Sequence, residues 1–356
     1  MRILHTSDWH LGKTLEGRTR LPEQQEFIAE LSRIVEEQAI DLVVIAGDIF
    51  DTSNPPAAAE QLFYNALKGL AAGGKRGVVV LAGNHDNPDR LCAAGPLAAS
   101  QGIVFLGVPA DSPFTTGADP AAQVESELVS VVDGGPSWVE LSVPGYSYHA
   151  VILALPYPSE ARLQQLLTTS LAEEEVQKAY SDRVGEIFSQ LEEHYRADTI
   201  NLAFSHLFVL GGIESEGSER PISLGGACTV SPGSLPAHAQ YIGLGHLHRP
   251  QKVGGAAAPS RYAGSPLAYS FSEAGQAKAV YLVDVEPGQP AAISEILLQS
   301  GKPLVKWQVD GGLEEVHRWI EEGRDTNAWI DMEIRLEQPL TNEQNHSLRE
   351  LYPNIL

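Results

Sequence analysis

Five short apolar segments of this sequence each run directly into side chains that can bind a metal ion. The segments RILHT, LVVIA, VVVLA, NLAF and YIGL are followed by SDWH, GD, GNHD, SH and GHLH, respectively. Apolar runs of this length, bounded by turn residues, are typical of buried β-strands. Because ligand sites in open α/β sheets lie at the carboxyl ends of the strands, we predict that the five segments converge on one crevice.

The side chains at these strand ends are imidazoles, carboxylates and one amide. A mixed set of nitrogen and oxygen donors suits Mn, Fe or Zn better than Mg or Ca. The two cysteines of the chain are too few and too far apart for a thiolate site. The candidate metal ligands are Asp8, His10, Asp48, Asn84, His206, His246 and His248.

The local spacing of these residues adds two expectations. Asp8 and His10 are two residues apart, so an extended backbone would project both to the same side, and the same holds for the histidines of GHLH. Gly47, Gly83 and Gly245 each stand beside a candidate ligand, where a missing Cβ lets the backbone turn sharply and approach the site.

Each motif alone also has a structural explanation. A Gly-Asp pair is common in turns, GNHD can form a turn through Asn and Gly, and paired histidines can simply pack at a strand end. Five such motifs at five strand ends favour a functional site over these alternatives.

The first third of the chain alternates strand and helix patterns, which is the rhythm of an α/β domain. Helices are predicted over residues 23–38, 56–71, 159–171 and 173–196. After residue 273 the pattern changes to a smaller unit of strands and helices. We therefore predict a main domain over residues 1–275 and a small domain over residues 276–356.

The order DWH, GDIFD, GNHD, SH and GHLH resembles the calcineurin-like metallophosphoesterases. The longer segments HTSDWHLGKTL, SHLFVLGG, SERPISLGG, YIGLGHLHRPQ and YAGSPLAYSFSEA resemble the SbcD family, the nuclease subunits of bacterial SbcC–SbcD double-strand-break repair complexes. The resemblance implies an α/β fold, a metallophosphoesterase β-sandwich flanked by helices, with a small C-terminal α/β capping domain.

The resemblance also implies a role for each residue of the site. Asp8, His10, Asp48 and His248 would hold one divalent metal ion, and Asp48, Asn84, His206 and His246 would hold the other, so that Asp48 bridges. Mn²⁺ is the metal that the resemblance implies. His85 would be the catalytic histidine that assists the leaving 3′ oxygen. Asp51 and Asp86 would support a ligand or a ring from behind.

The implied partners are DNA, a second copy of the chain and an SbcC-type ATPase. Dimerisation is expected through residues 56–71 and 91–100. The ATPase would bind a segment after the small domain, and the apolar ending of the sequence suggests that the chain stops before it. No signal peptide and no long apolar stretch is evident, so we expect a cytoplasmic, nucleoid-associated protein of bacteria.

The charge of the chain limits how it can bind DNA. It has 24 Lys and Arg against 46 Asp and Glu, a formal net charge of −22. Binding to phosphates depends on basic side chains, so we expect weak, salt-sensitive DNA binding without the ATPase. The candidate DNA contacts, chosen because they lie near the site motifs, are Lys13, Arg18, Arg20, Arg90, Arg220 and Arg249.

The sequence thus predicts a Mn-dependent DNA exonuclease and endonuclease that acts on double-strand ends, hairpins and single strands. It would act with an SbcC-type ATPase in DNA repair and recombination. One alternative is a phosphodiesterase or phosphomonoesterase for small substrates, which the metal motifs alone permit equally. Another is a scaffold that binds metal without turnover, which is disfavoured because all seven ligand positions and His85 are present.

Overall fold

The structure, a computed structural model, describes residues 1–113, 127–159, 173–219, 228–336 and 338–356. The strands are β1 (Arg2–Thr6), β2 (Thr14–Leu15), β3 (Arg18–Thr19), β4 (Leu42–Ala46), β5 (Gly77–Leu81), β6 (Ile103–Leu106), β7 (Ser130–Gly135), β8 (Trp138–Ser142), β9 (Ala150–Leu155), β10 (Ile200–His206), β11 (Phe208–Val209), β12 (Thr229–Val230), β13 (Tyr241–Gly245), β14 (Gln251–Lys252), β15 (Ser260–Tyr262), β16 (Ala279–Asp284), β17 (Ala292–Leu297), β18 (Leu304–Val309) and β19 (Trp329–Ile334). The helices are α1 (Leu21–Glu37), α2 (Ala57–Ala71), α3 (Pro88–Cys92), α4 (Gly95–Ala98), α5 (Glu173–Leu191), α6 (Gly312–Glu321) and α7 (Asn342–Leu351).

Two mixed sheets form the main body of the molecule. The first has the strand order β17-β16-β1-β4-β5-β6, and β1, β4, β5 and β6 run parallel to one another. The second has the order β14-β15-β13-β10-β9-β8-β7, with β15, β13, β10 and β9 parallel. The five predicted ligand-bearing strands are therefore divided between two sheets, three in the first and two in the second.

The two sheets pack face to face, and helices cover their outer faces. One apolar cluster between the sheets joins Val44 and Val79 of the first sheet to Ile152 and Leu202 of the second. Helices α1 and α2 pack on the outside of the first sheet, and α5 packs on the outside of the second. Strand β4 is buried along its whole length, as expected of a parallel strand covered on both faces. The predicted β-sandwich flanked by helices is confirmed.

Helix α1 shows why the sequence folds this way locally. Pro22 stands in its first turn, where the missing N–H costs nothing. Phe27, Leu31 and Ile34 recur at helical spacing and are all buried against the first sheet. The same face holds Gln24, whose side chain reaches the metal-ligand loop after β1.

The last part of the chain forms a small unit with its own apolar core. The parallel strands β18 and β19 pack with α6 and α7 around Trp307, Val316, Ile330 and Leu348. The strands β16 and β17, which follow the predicted boundary at residue 276, instead extend the first sheet through antiparallel pairing of β16 with β1. We therefore propose a boundary between residues 298 and 304 rather than at 276.

Most predicted elements are present, and two strands were missed. The sequence of β7 contains Asp133, Gly134 and a bulge, so it resembles a turn rather than a strand. Strand β18 follows a Gly-Lys-Pro turn and has only partial alternation. The predicted helix over residues 159–171 falls almost entirely outside the described residues.

Candidate metal centre

The loops that leave β1 and β4 bind each other through their backbones at the edge of the first sheet. The N–H groups of Asp8 and His10 donate to the carbonyls of Gly47 and Asp48, both at 3.0 Å. Asp8, His10 and Asp48 have φ angles of 53°, 44° and 51°, which L-residues seldom adopt and which cost about 1–3 kcal/mol each. The prediction that an extended backbone aligns Asp8 with His10 is therefore wrong, because two left-handed residues form a tight turn instead.

The glycines beside the ligands are required by close approach, as predicted. A Cβ on Gly83 would overlap the carboxylate and backbone nitrogen of Asp48. A Cβ on Gly245 would overlap the carbonyl oxygen of Ala46, which brings the second sheet against the first. The two sheets can thus bring their strand ends together only where side chains are absent.

One cluster of candidate ligands consists of Asp8, His10 and His248. The Nε2 atoms of the two histidines are 3.0 Å apart, and all three side chains are buried. The Asp8 carboxylate also accepts the backbone N–H of His246 at 3.0 Å, which fixes the loop after β13 against the loop after β1.

The other cluster consists of Asp48, His206 and His246, with Asn84 beside them. The Asn84 Oδ1 lies 2.9 Å from Nε2 of His206 and 3.2 Å from Nδ1 of His246. Asp48 Oδ2 lies 3.4 Å from Nε2 of His206 and 3.7 Å from Nε2 of His10. Asp48 thus faces both clusters, and the structure brings all seven predicted ligands together.

These donors fit divalent metal ions. Atoms bound to one ion at 2.0–2.2 Å lie about 3–3.5 Å from each other, which matches the separations within the clusters. The Nδ1–H of His206 donates to the carbonyl of Ala46 at 2.9 Å, so Nε2 is the atom that faces the site. Nδ1 of His248 likewise faces Ser218 at 2.7 Å and leaves Nε2 toward His10.

The charges of the site also favour cations. Burial raises the pKa of Asp8 to about 6. Burial would also raise the pKa of Asp48, but His206, His10 and His85 outweigh it and hold the pKa well below the usual range. Burial lowers the pKa of His206, but attraction by Asp48 prevails and raises it to about 9. A divalent ion would take the place of that proton, as metal binding to histidine requires.

His85 lies at the mouth of the site rather than within either ligand cluster. Its side chain is 13% exposed, whereas that of His206 is fully buried. Nδ1 of His85 lies 2.7 Å from the backbone carbonyl of Asp51, so this nitrogen carries the proton of the hydrogen bond and Nε2 turns toward Asp48 at 4.0 Å. The backbone N–H of His85 also donates to Asp48 Oδ1 at 2.9 Å.

Asp51 and Asp86 support the site in different ways. Asp51 Oδ1 lies 3.7 Å from Nδ1 of His10 and accepts a hydrogen bond from Lys13 at 2.8 Å. Asp86 accepts backbone N–H groups of Ile49, Phe50 and Gly83 at 2.9–3.1 Å, so it ties the loops after β4 and β5 together.

One candidate DNA contact is contradicted by the structure. Arg20 is fully buried, and its guanidinium binds Glu23 at 2.6 and 2.8 Å. A side chain enclosed in this way cannot reach a phosphate. The sequence showed only its closeness to the site motifs and not the ion pair that buries it.

The remaining candidates differ in how free they are. Lys13 is held by Asp51, and Arg90 is exposed but paired with Glu60 at 2.7 Å. Arg18 and Arg249 are exposed, and no ion pair within the described ranges holds either guanidinium. Arg220 lies outside the described residues.

Sequence reasoning missed a buried polar group behind His248. It consists of Ser218, Glu273 and Lys278. Ser218 lies in the SERP segment and Glu273 in the SFSEA segment, the two motifs outside the metal ligands that carried the closer resemblance. A buried, charged residue inside such a motif was the available signal.

Comparison with known proteins decides the family. Residues 1–155 match the model of the calcineurin-like phosphoesterases. The SbcD subunit of the SbcCD nuclease from Bacillus subtilis is 49% identical over 356 residues, which is all of this chain and 84% of that protein. The chain belongs to the SbcD family.

Two further proteins are similar to this SbcD-family chain. The corresponding SbcCD nuclease component of Rhodobacter capsulatus is 35% identical over 315 residues, 87% of this chain and 72% of that protein. A solved dimetal phosphatase from Danio rerio is 13% identical, with a TM-score of 0.42 over 85% of this chain and 99% of that one.

Family membership establishes the class of enzyme. The chain is a metal-dependent phosphodiesterase of the nuclease class with a clustered site for divalent metal ions. Among the described residues, no helix combines the length and apolar character needed to span a membrane.

Proposed function

We propose that this SbcD-family chain is a Mn²⁺-dependent DNA exonuclease and endonuclease that cleaves double-strand ends, hairpins and single strands. The observation that carries the proposal is the position of Asp48 between two clusters of buried ligands. Asp8, His10, Asp48 and His248 would hold one ion, and Asp48, Asn84, His206 and His246 the other. When bound, two divalent ions lower the pKa of a water molecule and clamp the attacking and leaving oxygens of an in-line displacement.

The residues of the chain supply the geometry for this reaction. Hydrogen bonds from Ala46 and Ser218 hold the rings of His206 and His248, so the donor atoms are fixed before substrate binds. Burial excludes water from the ligands, whereas His85 remains open to the crevice. A phosphodiester can therefore reach the site only on the side where His85 stands.

We propose that His85 donates a proton from Nε2 to the leaving 3′ oxygen. Its Nδ1 is occupied by the Asp51 carbonyl, so Nε2 is the atom available to substrate. General acids of this kind contribute about 10²–10⁴ in rate. They matter most for poor leaving groups such as the alkoxide of DNA.

The leaving group tests this role. His85→Gln is expected to slow cleavage of single-stranded DNA by about 10²–10⁴. The same variant should cleave bis(p-nitrophenyl) phosphate at a rate close to wild type, because p-nitrophenolate needs no proton to depart. Equal losses on both substrates, or no loss on DNA, would contradict the role of His85.

The substrate class is tested by assaying one preparation on three kinds of ester. With Mn²⁺, the wild-type chain should cleave hairpin and single-stranded DNA, and Asp48→Ala should abolish this. Cleavage of a small aryl phosphodiester or monoester without cleavage of DNA would favour the small-substrate alternative. Absence of turnover on every substrate, in a chain shown to bind Mn²⁺, would favour the scaffold alternative.

We also propose an SbcC-type ATPase as partner, since the relatives are named as subunits of SbcCD nucleases. The ATPase would add basic surface that a chain of net charge −22 does not have. Co-expression of the two chains followed by co-purification tests the complex. Separate elution of the two folded proteins would contradict it.

A homodimer through residues 56–71 and 91–100 is the remaining part of the proposal. Leu97 on α4 is 82% exposed and Tyr64 on α2 is 38% exposed, which leaves apolar surface at these helices. Leu97→Glu should halve the mass seen by light scattering. Leu297→Glu, at an exposed leucine on the sheet edge, serves as the control and should not. A mass unchanged by Leu97→Glu would contradict this interface.

A further inference from the structure

His248 differs from the other candidate ligands because a chain of buried polar groups stands directly behind its ring. Nδ1 of His248 lies 2.7 Å from Ser218 Oγ and 3.3 Å from Glu273 Oε1. Ser218 in turn donates its hydroxyl hydrogen to Glu273. The ring nitrogen that faces away from the metal cluster therefore meets a hydroxyl and a carboxylate.

The carboxylate at the end of this chain is enclosed and paired. Glu273 is fully buried, and Lys278, which is 8% exposed, donates to it. The Lys278 Nζ also donates to the carbonyl of His248 at 3.0 Å and to Ser265 Oγ at 2.9 Å. Lys278 thus neutralises the carboxylate and binds the backbone of the ligand that the carboxylate supports.

The backbone of His248 is held at its other end as well. Its N–H donates to Glu219 Oε1 at 2.9 Å. Ser218 and Glu219 are adjacent, so one dipeptide of the SERP segment contacts both the ring and the backbone of the ligand. Glu273, from the SFSEA segment, completes the enclosure.

We propose that Ser218 and Glu273 are positioning residues for His248 and that Lys278 makes the buried carboxylate tolerable. This inference rests on the proposed two-metal site and assigns a task to the two sequence segments outside the metal ligands. A carboxylate that accepts from the outer nitrogen of a ligating histidine fixes its tautomer and orientation and makes the other nitrogen a better donor. Nε2 of His248 would thereby be kept unprotonated and aimed toward Asp8 and His10.

The roles of Glu273 and Lys278 differ physically. Removal of Lys278 leaves a buried carboxylate without a counter-charge, which destabilises the fold. Replacement of Glu273 by Gln keeps the shape but weakens the hydrogen bond to His248 and sets an amide against the ammonium. The double variant Glu273→Gln/Lys278→Met removes both charges together and should fold better than Lys278→Met alone.

The test is titration of the purified full chain with Mn²⁺, followed by calorimetry. Ser218→Ala and Glu273→Gln are each expected to weaken one of the two Mn²⁺ sites by about 10- to 100-fold and to leave the other unchanged. Ser272→Ala, an exposed serine next to Glu273, is the matched control and should bind as wild type. The double variant should recover stability relative to Lys278→Met without recovering the affinity of that site.

A second readout separates positioning from general loosening of the fold. The visible absorption of bound Co²⁺ reports the ligand geometry of each ion, and the spectrum of one site alone should change in Ser218→Ala and Glu273→Gln. Wild-type affinity and spectrum in both variants would overturn the inference and leave the proposed function intact. A wild-type chain with fewer than two Mn²⁺ sites would overturn the proposed function itself, and the positioning role with it.

Discussion

His5 is a buried histidine in the core that takes no part in the metal site. It is fully buried among Phe204, Tyr241 and Tyr281, and its Nδ1 lies 2.9 Å from the Tyr241 hydroxyl. Burial lowers its pKa to about 3 from an ordinary value of 6.5. The folded chain therefore keeps His5 neutral at a pH where the unfolded chain takes up a proton.

This difference makes His5 a source of acid sensitivity. Its contribution to stability is fully present above pH 6.5 and is lost as the pH falls below that value, because the proton then favours the unfolded state. The loss from His5 at about pH 5 is about 2 kcal/mol. We expect the stability gap between wild type and His5→Asn, measured by denaturant unfolding, to shrink by about that amount between about pH 7.5 and about pH 5. A gap independent of pH would contradict the buried neutral state.

At the level of single residues, the sequence predicted the identity of the ligands better than their conformation. All seven candidates meet in two clusters, because each follows a strand whose end is fixed by the sheet. The left-handed backbone of Asp8, His10 and Asp48 was not predicted, since no local pattern marks a non-glycine residue with positive φ. Nor was the burial of Arg20, which depends on Glu23 and on a segment far along the chain.

At the level of elements, strands with continuous apolar runs were predicted well and partly exposed ones were not. Strands β4, β5 and β9 are buried throughout, and their sequences show it. Strand β7 is half exposed and bulged, so pairing with β8 rather than its own composition decides its structure. The division of the ligand strands between two sheets likewise depends on long-range pairing that a linear pattern does not contain.

The loop after β5 yields a prediction at the same level. A Cβ at Gly83 would collide with the carboxylate and backbone of Asp48, neither of which can move without breaking the site. Gly83→Ala is expected to abolish Mn²⁺ binding as measured by calorimetry. Gly69→Ala is the matched control, because Gly69 lies in α2 with open space around it and should gain up to about 1 kcal/mol. Normal Mn²⁺ affinity in Gly83→Ala would disprove this close approach.

At the level of the whole molecule, one buried ion pair joins the small unit to the main body. Glu23 on α1 accepts hydrogen bonds from Arg20 at 2.6 Å, from the Trp329 indole at 2.9 Å and from the Lys302 backbone at 2.7 Å. Arg20 also donates to the carbonyl of Ala268 at 2.9 Å. The linker, the small unit and the segment that leads to Glu273 therefore share one carboxylate.

Removal of this carboxylate charge should loosen the small unit. Glu23→Gln leaves the Arg20 charge buried without its partner, which costs about 3–5 kcal/mol. We expect a lower thermal midpoint and faster trypsin cleavage near residues 298–304. Glu26→Gln, at an exposed position of the same helix, should change stability by less than about 0.5 kcal/mol. Equal behaviour of the two variants would show that the ion pair does not join the units.

The net charge of −22 bounds how the molecule binds DNA. Residues 201–275, which hold three of the candidate ligand histidines, have four basic and four acidic side chains and are neutral. Bound divalent ions would add positive charge at this region, so phosphate would be attracted to the site rather than to the surface at large.

Salt dependence measures the contribution of the free cations. We expect weak binding of single-stranded DNA by the chain alone, and Arg18→Ala and Arg249→Ala should each lower the salt slope by about 1. Arg33→Ala, at an exposed arginine paired with Glu37, is the control and should leave the slope unchanged. Tight binding without metal at physiological salt would contradict this view of the charge.

The central claim is that Asp48 joins two metal sites, and electron paramagnetic resonance of bound Mn²⁺ tests it most directly. Two Mn²⁺ ions that share a carboxylate about 3.5–4 Å apart are magnetically coupled, and their spectrum differs from that of isolated ions. We expect two ions per wild-type chain with a coupled spectrum, and loss of the coupling in Asp48→Asn. One Mn²⁺ per wild-type chain, or the spectrum of isolated ions in both proteins, would contradict the two-metal site.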